Sequence, residues 1–228
     1  MPDRNARGVQ QESAQDAFNL AGLIELIRGL CYNSTVHVAG EASSQGNFLQ
    51  ERCFRVVLTT MALPHKIATL LYCFNKRDEI LLLHRAQEPN LGQWSPCGGK
   101  LKTDLGESPY TCACREAEEE IGMRLQPSDL HLAGIVSEMG YQGQAHWLMF
   151  LFEVKPRLKG LPPPISEGTF QFFARSDLAS LVLPETDRER IWPWFWQHRG
   201  GFFAAHCRTQ PGEGNVWNLE ESRPITCS

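Results

Sequence analysis

Short apolar runs rich in β-branched and aromatic residues alternate with polar turns through the middle of the chain. Runs of this kind predict strands. The first two are KIATLLYCF at 66–74 and EILLLHR at 79–85, which NKRD joins as a hairpin. QWSPCGG at 93–99 predicts a third strand. Three more are predicted at LHLAGIVSE (130–138), AHWLMFLFEV (145–154) and TFQFFAR (169–175).

The apolar period changes between Ser108 and Gly122. Cys114, Ala117 and Ile121 fall on one stripe at helical spacing, and Gly122 is a typical C-terminal stop. A second helix is predicted over 185–199, with a kink at Pro193. This order of elements predicts an α/β fold in which helices flank a mixed sheet, without the regular alternation of a doubly wound parallel fold.

Polar composition at both ends predicts three parts. Residues 1–60 form an extension that is partly disordered and carries one amphipathic helix, AFNLAGLIELIRGL at 17–30. Residues 61–208 form the domain, and Met61 is a candidate start of translation. Residues 209–228 are turn-rich and polar, which predicts a loosely attached tail.

Composition narrows the class of protein. The chain has 228 residues, of which 42% are hydrophobic, enough for a substantial core. With 22 basic and 26 acidic residues its net charge is -4, which gives no basic surface for a nucleic-acid duplex or an anionic membrane. We find neither a membrane-span pattern nor a signal peptide, and the eight scattered cysteines are typical of reduced thiols. These features predict a cytoplasmic protein and no particular oligomeric state.

The segment REAEEEIG at 115–122 places four glutamates in the first predicted helix. Glu116, Glu119 and Glu120 stand at i, i+3 and i+4 and share one face, whereas Glu118 points elsewhere. Like charges at this spacing repel by roughly 0.2–0.5 kcal/mol per pair. Acidic runs are usually solvated surface. The nearby glycines and Arg115 favour the other interpretation, a site for a hard divalent cation such as Mg²⁺ beside a substrate phosphate.

The stretch from Gly98 to Met123 resembles the Nudix box. That box has a glycine, five residues, a glutamate, seven residues, and then Arg-Glu-apolar-any-Glu-Glu-any-Gly-apolar. This sequence matches every fixed position from Glu107 onward, while Leu101 stands where the first glycine is expected. A two-residue insertion in KLKTDLG explains that departure. The flanking strands and the later helix resemble the MutT-like branch over residues 66–208.

The resemblance implies an α/β/α sandwich and Mg²⁺-dependent hydrolysis of a nucleoside diphosphate linked to another group, with Mn²⁺ as a substitute metal. It also assigns roles to residues. Glu116 and Glu120 would be the principal metal ligands, Glu119 a ligand directly or through water, Gly99 a carbonyl ligand, and Arg115 the group that orients the carboxylates. Glu107 would anchor the loop by pairing with Arg115, and Gly122 would end the helix. Glu167 is a candidate for an additional catalytic acid, with a solvated loop glutamate as the alternative.

The MutT-like branch favours an ordinary or oxidised nucleoside triphosphate cleaved to a monophosphate and pyrophosphate. Candidate substrate contacts are Phe172, Glu185 and Asp187, although Leu183 replaces the tryptophan that the branch usually carries before these acids. Aromatic residues at strand and helix spacing, such as Phe173 and Trp192, are more typical of a core. Two alternatives stay open: a dinucleotide or nucleotide-sugar pyrophosphatase, and a non-catalytic nucleotide-binding module.

Overall fold

The computed structural model describes residues 34–38, 56–60, 62–210 and 214–225. The chain divides into two compact units, residues 1–63 and 64–228. In the first unit, strands β1 (Ser34–Val38) and β2 (Val56–Thr60) pair antiparallel. The sequence pattern did not predict these strands. The helix predicted at 17–30 lies outside the described residues.

The second unit contains a five-stranded mixed sheet. Its strands are β3 (His65–Tyr72), β6 (Leu130–Tyr141), β7 (Ala145–Val154), β9 (Phe202–Gln210) and β10 (Gly214–Arg223). Their order is β10-β9-β6-β7-β3. The pairs β3–β7 and β6–β9 are parallel, whereas β6–β7 and β9–β10 are antiparallel. The predicted mixed sheet is therefore confirmed.

A smaller antiparallel sheet has the order β5-β4-β8. It consists of β4 (Ile80–Arg85), β5 (Trp94–Ser95) and β8 (Gly168–Phe173). The predicted turn between β3 and β4 is present. Asn75 N donates to Glu79 O at 3.0 Å, and Leu81 N donates to Cys73 O at 2.8 Å. Beyond this turn β3 and β4 separate into different sheets.

Two helices accompany the sheets. Helix α1 (Pro109–Ile121) begins at Ser108, whose hydroxyl accepts a hydrogen bond from Thr111 N at 3.1 Å, a standard N-cap. Helix α2 (Trp192–Gln197) follows a π-helical turn at Asp187–Ile191. The helix predicted over 185–199 is confirmed over 185–197, where the helical backbone is continuous and includes the π-helical turn. Trp192 N donates to Asp187 O in this turn, and Pro193, which has no N–H, cannot continue that pattern of hydrogen bonds.

The core packs against both sheets. Tyr72 of β3 stacks on Phe195 with ring centroids 4.1 Å apart and meets Trp192 edge-on at 4.8 Å. The tryptophans of α2 thus pack as core aromatics, in agreement with their spacing. On the α1 side the buried residues are Cys112, Ala113, Ala117 and Ile121. None of the helices in the described ranges is both long and apolar enough to cross a membrane.

The C-terminal segment differs most from its prediction. Residues 209–228 were expected to form a loose tail, but β9 and β10 pair with each other and β9 also pairs with β6. Phe203, Ala205 and Cys207 alternate inward on β9 and are all buried. The turn-rich TQPGEGN segment therefore contains the end of β9 and the start of β10, and it does not mark the end of the fold. The domain extends past the predicted boundary at residue 208.

Candidate active site

Arg115 organises the acidic face of α1. Its Nε donates to Glu107 Oε1 at 2.8 Å and its Nη2 to Glu107 Oε2 at 3.0 Å. Its Nη1 donates to Glu116 Oε1 at 2.6 Å and to Glu119 Oε2 at 3.0 Å. Nη2 also reaches the carbonyl of Lys100 at 3.2 Å. One guanidinium therefore ties the preceding loop to two of the helix carboxylates.

Glu107 closes that loop from the other side. Its Oε2 accepts a hydrogen bond from Lys102 N at 2.8 Å. The hydrogen bonds from Arg115 lower the pKa of Glu107 to about 2. Glu107 is thus held as a carboxylate by partners within the loop and helix, and its position suits the structural role that the resemblance assigns to it.

Glu120 is a buried carboxyl, with 7% of the residue exposed. Its Oε2 accepts a hydrogen bond from Gly98 N at 2.8 Å. The pKa of Glu120 is raised to about 8. Burial is the largest cause, and the negative charges of Glu116 and Glu167 act in the same direction, while the Gly98 hydrogen bond lowers the pKa. A cation that binds beside such a carboxyl stabilises its ionised form.

Glu116 lies one turn before Glu120 and is also largely enclosed. Burial raises its pKa, although the hydrogen bond from Arg115 opposes the change. Gly99 packs directly against it, because a Cβ added at Gly99 would lie only 2.3 Å from Glu116 Oε1. The Gly99 carbonyl accepts a hydrogen bond from Thr69 N at 2.9 Å. The Cys112 thiol also donates a weak hydrogen bond to this carbonyl oxygen, at 3.7 Å, so both of its lone pairs have partners.

The glycine pair is positioned by a change of sheet. Trp94 and Ser95 pair with β4, whereas the residues after them run along β3, where Leu71 N donates to Cys97 O at 2.8 Å. Gly98 has φ of 135°, and a Cβ there would lie 2.2 Å from Thr69 O. Only glycine fits this crossing, which directs the Gly98 N–H at Glu120. The strand predicted over 93–99 is therefore mostly this crossing segment.

A cavity of about 370 Å³ opens beside these groups. Glu116, Gly98 and Gly99 form part of its wall, together with Glu167 and Arg85. Arg85 Nη2 lies 3.7 Å from Glu167 Oε2. Glu120 lies behind Gly98, and Glu119 has 54% of its side chain exposed. The structure therefore brings Glu116, Glu120 and Glu167 together, while Glu119 stays at the solvent edge and contacts Arg115.

These residues fit a divalent cation by their chemistry. Glu116 and Glu120 are enclosed carboxyls whose pKa values are raised first by burial, and the charge of Glu167 raises both values as well. Hard cations such as Mg²⁺ prefer carboxylate and carbonyl oxygens of this kind. Within the described residues, no three acidic, histidine or cysteine side chains already stand in a complete metal-binding arrangement. Arg115, which holds Glu116 and Glu119, would have to share them with an incoming cation.

The structure does not bring the three predicted substrate residues together. Asp187 is buried and lines the cavity. Glu185 is exposed and lies outside the cavity wall, and Phe172 packs against the core beside α1. The cavity does not bring these two residues to Asp187.

The sequence analysis missed several cavity residues, among them Arg85, Glu138, Tyr141 and Trp147. A signal for Glu138 was present in LHLAGIVSE, where it follows Gly134 and Val136 at strand spacing. Gly134, Val136 and Glu138 are all buried, so Glu138 occupies a position where an apolar residue is expected. Tyr141 reaches across the mouth of the cavity, and its hydroxyl donates to Asn90 Oδ1 at 2.7 Å.

Comparisons with known proteins agree with this geometry. A family model described as NUDIX domain matches residues 64–195, more than half of the chain. The crystal structure of the mMutator MutT protein from Bacillus halodurans has a TM-score of 0.54 at 22% identity, covering 68% of this chain and 97% of that one. The MutT protein from Methanosarcina mazei Go1 gives 0.49 at 23% identity, with 60% and 94% covered. The MutT NUDIX hydrolase from Burkholderia pseudomallei gives 0.46 at 26% identity, with 56% and 95% covered.

Proposed function

The chain belongs to the NUDIX family of hydrolases, and from that premise we propose that it cleaves a nucleoside triphosphate, ordinary or oxidised, to a monophosphate and pyrophosphate with Mg²⁺. The observation that carries this proposal is the convergence of Glu116, Glu120 and Glu167 beside one cavity. Acidic side chains that converge beside a cavity, one of them buried, are more typical of a site than of a solvated helix face.

Glu116 and Glu120 are the residues that would hold the metal, with the Gly99 carbonyl as a further ligand in place of its weak hydrogen bond from the Cys112 thiol. When bound there, Mg²⁺ neutralises phosphate oxygens and lowers the pKa of a bound water. Glu119 would act at the exposed edge through water or as a weaker ligand. The three roles follow from burial, since Glu116 and Glu120 are enclosed and Glu119 is half-exposed.

The remaining groups act on the carboxylates and on the phosphate. Arg115 holds Glu116 by a 2.6 Å hydrogen bond, and Gly98 N holds Glu120, so both carboxyls are oriented before a substrate enters. Arg85 presents a positive charge in the cavity wall that suits a phosphate oxygen. Glu167 lies beside Arg85, where its carboxylate would accept a proton from the attacking water.

A cytoplasmic location and a small nucleotide ligand belong to the same proposal. The five cysteines among the described residues are all free thiols, which is typical of a reducing compartment. The cavity volume of about 370 Å³ lies in the range of small-molecule sites.

A substrate panel tests the proposal. Nucleoside triphosphates, dinucleotides and nucleotide sugars are incubated with the protein and Mg²⁺, and the products are separated by chromatography. We expect at least one triphosphate to give monophosphate and pyrophosphate, and excess chelator to stop the reaction. Hydrolysis that persists undiminished in chelator would falsify the metal-dependent mechanism.

Two variants of α1 make this test specific. Glu120→Gln alters the buried carboxyl, whereas Glu118→Gln alters an exposed one that pairs with Arg124 at 2.7 Å. Only the first should lose activity. Cleavage of dinucleotides or nucleotide sugars alone would replace the triphosphate proposal, and tight nucleotide binding without any cleavage would support the non-catalytic module.

A further inference from the structure

Two lysines face each other beside the cavity. The segment that follows β5 runs antiparallel to β3, and Leu101 N donates to Ile67 O at 3.0 Å. This register places the next residue, Lys102, directly opposite Lys66. The two lysines form a non-hydrogen-bonded pair, in which side chains on neighbouring strands are closest. Like charges directly opposite each other repel, so this arrangement costs stability unless an anion lies nearby.

The side chains of this pair lie on the cavity side of the sheet. Ala68 and Lys100 face each other in the same register, and both line the cavity. Residues two apart on a strand share a face, so Lys66 and Lys102 follow on that side. Lys66 Nζ lies 5.2 Å from the ring centroid of Trp147, which belongs to the cavity wall. Three ammonium groups therefore border one end of the cavity.

The carboxylates of the described residues do not neutralise these lysines. Within the described part of the chain, none of the three lysines forms an ion pair, and Glu107 and Glu116 are bound by Arg115 instead. The hydrogen bond from Arg115 is the main cause of the low pKa of Glu107, and the charge of Lys102 contributes less. Exposed lysines are usually just solvated. Three that converge at the edge of a cavity without a carboxylate partner are better suited to an anionic ligand.

The lysines follow the metal-site residues along one segment. Gly98 N binds Glu120, Gly99 packs against Glu116, and Lys102 comes three residues later. A phosphate chain held beside the two glutamates would reach the lysines with the part that continues past them. The two residues that this chain has in addition to the family pattern lie in the same segment, KLKTDLG. The opposed lysine pair is therefore a feature of this chain, which the family pattern does not require.

We propose that Lys66 and Lys102, with Lys100 beside them, bind the terminal phosphate of the leaving group and so make the enzyme select nucleoside triphosphates over diphosphates. This inference rests on the proposed function, since it concerns the pyrophosphate end of the same substrate. A terminal phosphate carries about two negative charges and three acceptor oxygens. Each ammonium group can donate one charge-assisted hydrogen bond to these oxygens. A nucleotide sugar ends in a neutral group and gains nothing from the three lysines.

Binding of inorganic pyrophosphate tests this site without hydrolysis. Calorimetric titrations of the full chain in chelator compare pyrophosphate with orthophosphate. We expect the parent to bind pyrophosphate about tenfold or more tightly, because its second phosphate gives the remaining lysine a partner. The chelator removes any contribution of a bound metal, so the titration reports on the side chains alone.

Single substitutions identify the lysines that bind. Lys66→Gln and Lys102→Gln should each weaken pyrophosphate binding about three- to tenfold. Each should also lower kcat/KM for a nucleoside triphosphate by a similar factor, while kcat/KM for the diphosphate of the same nucleoside stays within about twofold. Lys76→Gln, in the exposed turn between β3 and β4, makes the same change of charge and should bind like the parent.

Thermal melts without anion separate binding from folding. Lys102→Gln should melt at or slightly above the temperature of the parent, because it removes the repulsion between opposed charges. Added pyrophosphate should raise the melting temperature of the parent more than that of this variant. A purely structural role of Lys102 predicts the opposite, a lower melting temperature and unchanged pyrophosphate binding.

The inference is overturned if the parent does not bind pyrophosphate, or if the double variant Lys66→Gln/Lys102→Gln binds it as tightly as the parent. A triphosphate preference that survives in the double variant also overturns it. Lysine-dependent pyrophosphate binding by a protein that hydrolyses nothing would leave this site standing while the proposed reaction fails. Equal hydrolysis of triphosphate and diphosphate by the parent and the double variant would have the reverse meaning.

Discussion

At the scale of single residues, the same chemical group has different surroundings along α1. Glu118 is exposed and pairs with Arg124, Glu119 is half-exposed beside Arg115, and Glu120 is buried against Gly98. The sequence places Glu119 and Glu120 on one helix face and Glu118 off it, but it does not show which of them is buried. Their burial, which depends on where α1 packs, separates a surface carboxylate from a metal-ligand candidate.

Glu120→Gln should separate stability from catalysis. In metal-free buffer at pH 7 its melting temperature should equal or slightly exceed that of the parent, because the pKa of about 8 means that the parent carboxyl is already mostly protonated. Glutamine keeps the size and can still accept the Gly98 hydrogen bond. With Mg²⁺ the turnover should fall by orders of magnitude. Thermal melts and initial rates measure the two effects, with Glu118→Gln as the unaffected control. A variant that melts well below the parent yet keeps its rate contradicts the metal-site assignment.

Glu116→Gln and Glu119→Gln should differ in severity. Glu116 is enclosed against Gly99, whereas Glu119 has 54% of its side chain exposed. Loss of the enclosed charge should therefore reduce kcat more than loss of the exposed one. Steady-state rates over a range of Mg²⁺ concentrations measure the difference, and added metal should rescue Glu119→Gln more fully. Equal losses that resist added metal would indicate that both glutamates ligate directly.

At the scale of elements, Arg115 is the connection between α1 and the loop at 100–107. It reaches the Lys100 carbonyl and both oxygens of Glu107 from the middle of the helix. The two extra residues that separate this loop from the family pattern lie in the same segment, KLKTDLG. Arg115 holds both ends of this loop, at Lys100 and at Glu107. The loop can therefore be two residues longer without a change in the register of α1.

Arg115→Ala should loosen this loop before it loosens the helix. Without the guanidinium, Glu107 loses its ion pair with α1 and keeps only the hydrogen bond from Lys102 N, so the loop is no longer tied to the helix by this side chain. Limited trypsin digestion should then cleave after Lys100 or Lys102 at least severalfold faster than in the parent. Mass spectrometry of the fragments identifies the sites. Arg124→Ala is the control, since Arg124 pairs with the exposed Glu118 and should leave the cleavage rate unchanged.

The sequence was informative for elements that carry a local signal. The α1 helix was predicted with the correct ends from its apolar stripe and its Gly122 stop, and the structure adds the Ser108 cap. The β9–β10 pair was missed because its evidence is not local: β9 pairs with β6, about 70 residues earlier, and the intervening sequence is polar and rich in glycine. Glu138 was missed for the same reason, since only folding brings this strand residue to the cavity wall that also contains Asp187.

At the scale of the whole molecule, several buried acids share one electrostatic property. Glu120, Glu138 and Asp187 have pKa values raised to about 8, about 7 and about 8. In the unfolded chain each would titrate near its ordinary value, about 4. Between those values the folded protein holds protons that the unfolded chain has released, so rising pH favours unfolding.

The metal-free protein should consequently lose stability between about pH 5 and pH 8. The contribution of these acids is fully present below their unfolded pKa values and is lost as the pH passes the folded ones. We expect the melting temperature in chelator to fall by several degrees over this range. Glu138→Gln and Glu120→Gln should each reduce the slope, whereas Glu118→Gln should not. A melting temperature that stays flat or rises from pH 5 to 8 would show that the buried acids titrate normally.

The position of β9 also bears on how the chain is made. During synthesis on the ribosome, β6 emerges long before its partner, because Ser137 and His206, which share a 2.7 Å hydrogen bond, are 69 residues apart. Until the C-terminal segment is released, one edge of β6 offers unpaired backbone groups to any strand nearby. The nascent chain is thus vulnerable to aggregation until β9 arrives, and general chaperones would act during that interval. Completion of the sheet therefore depends on a strand that is translated long after β6.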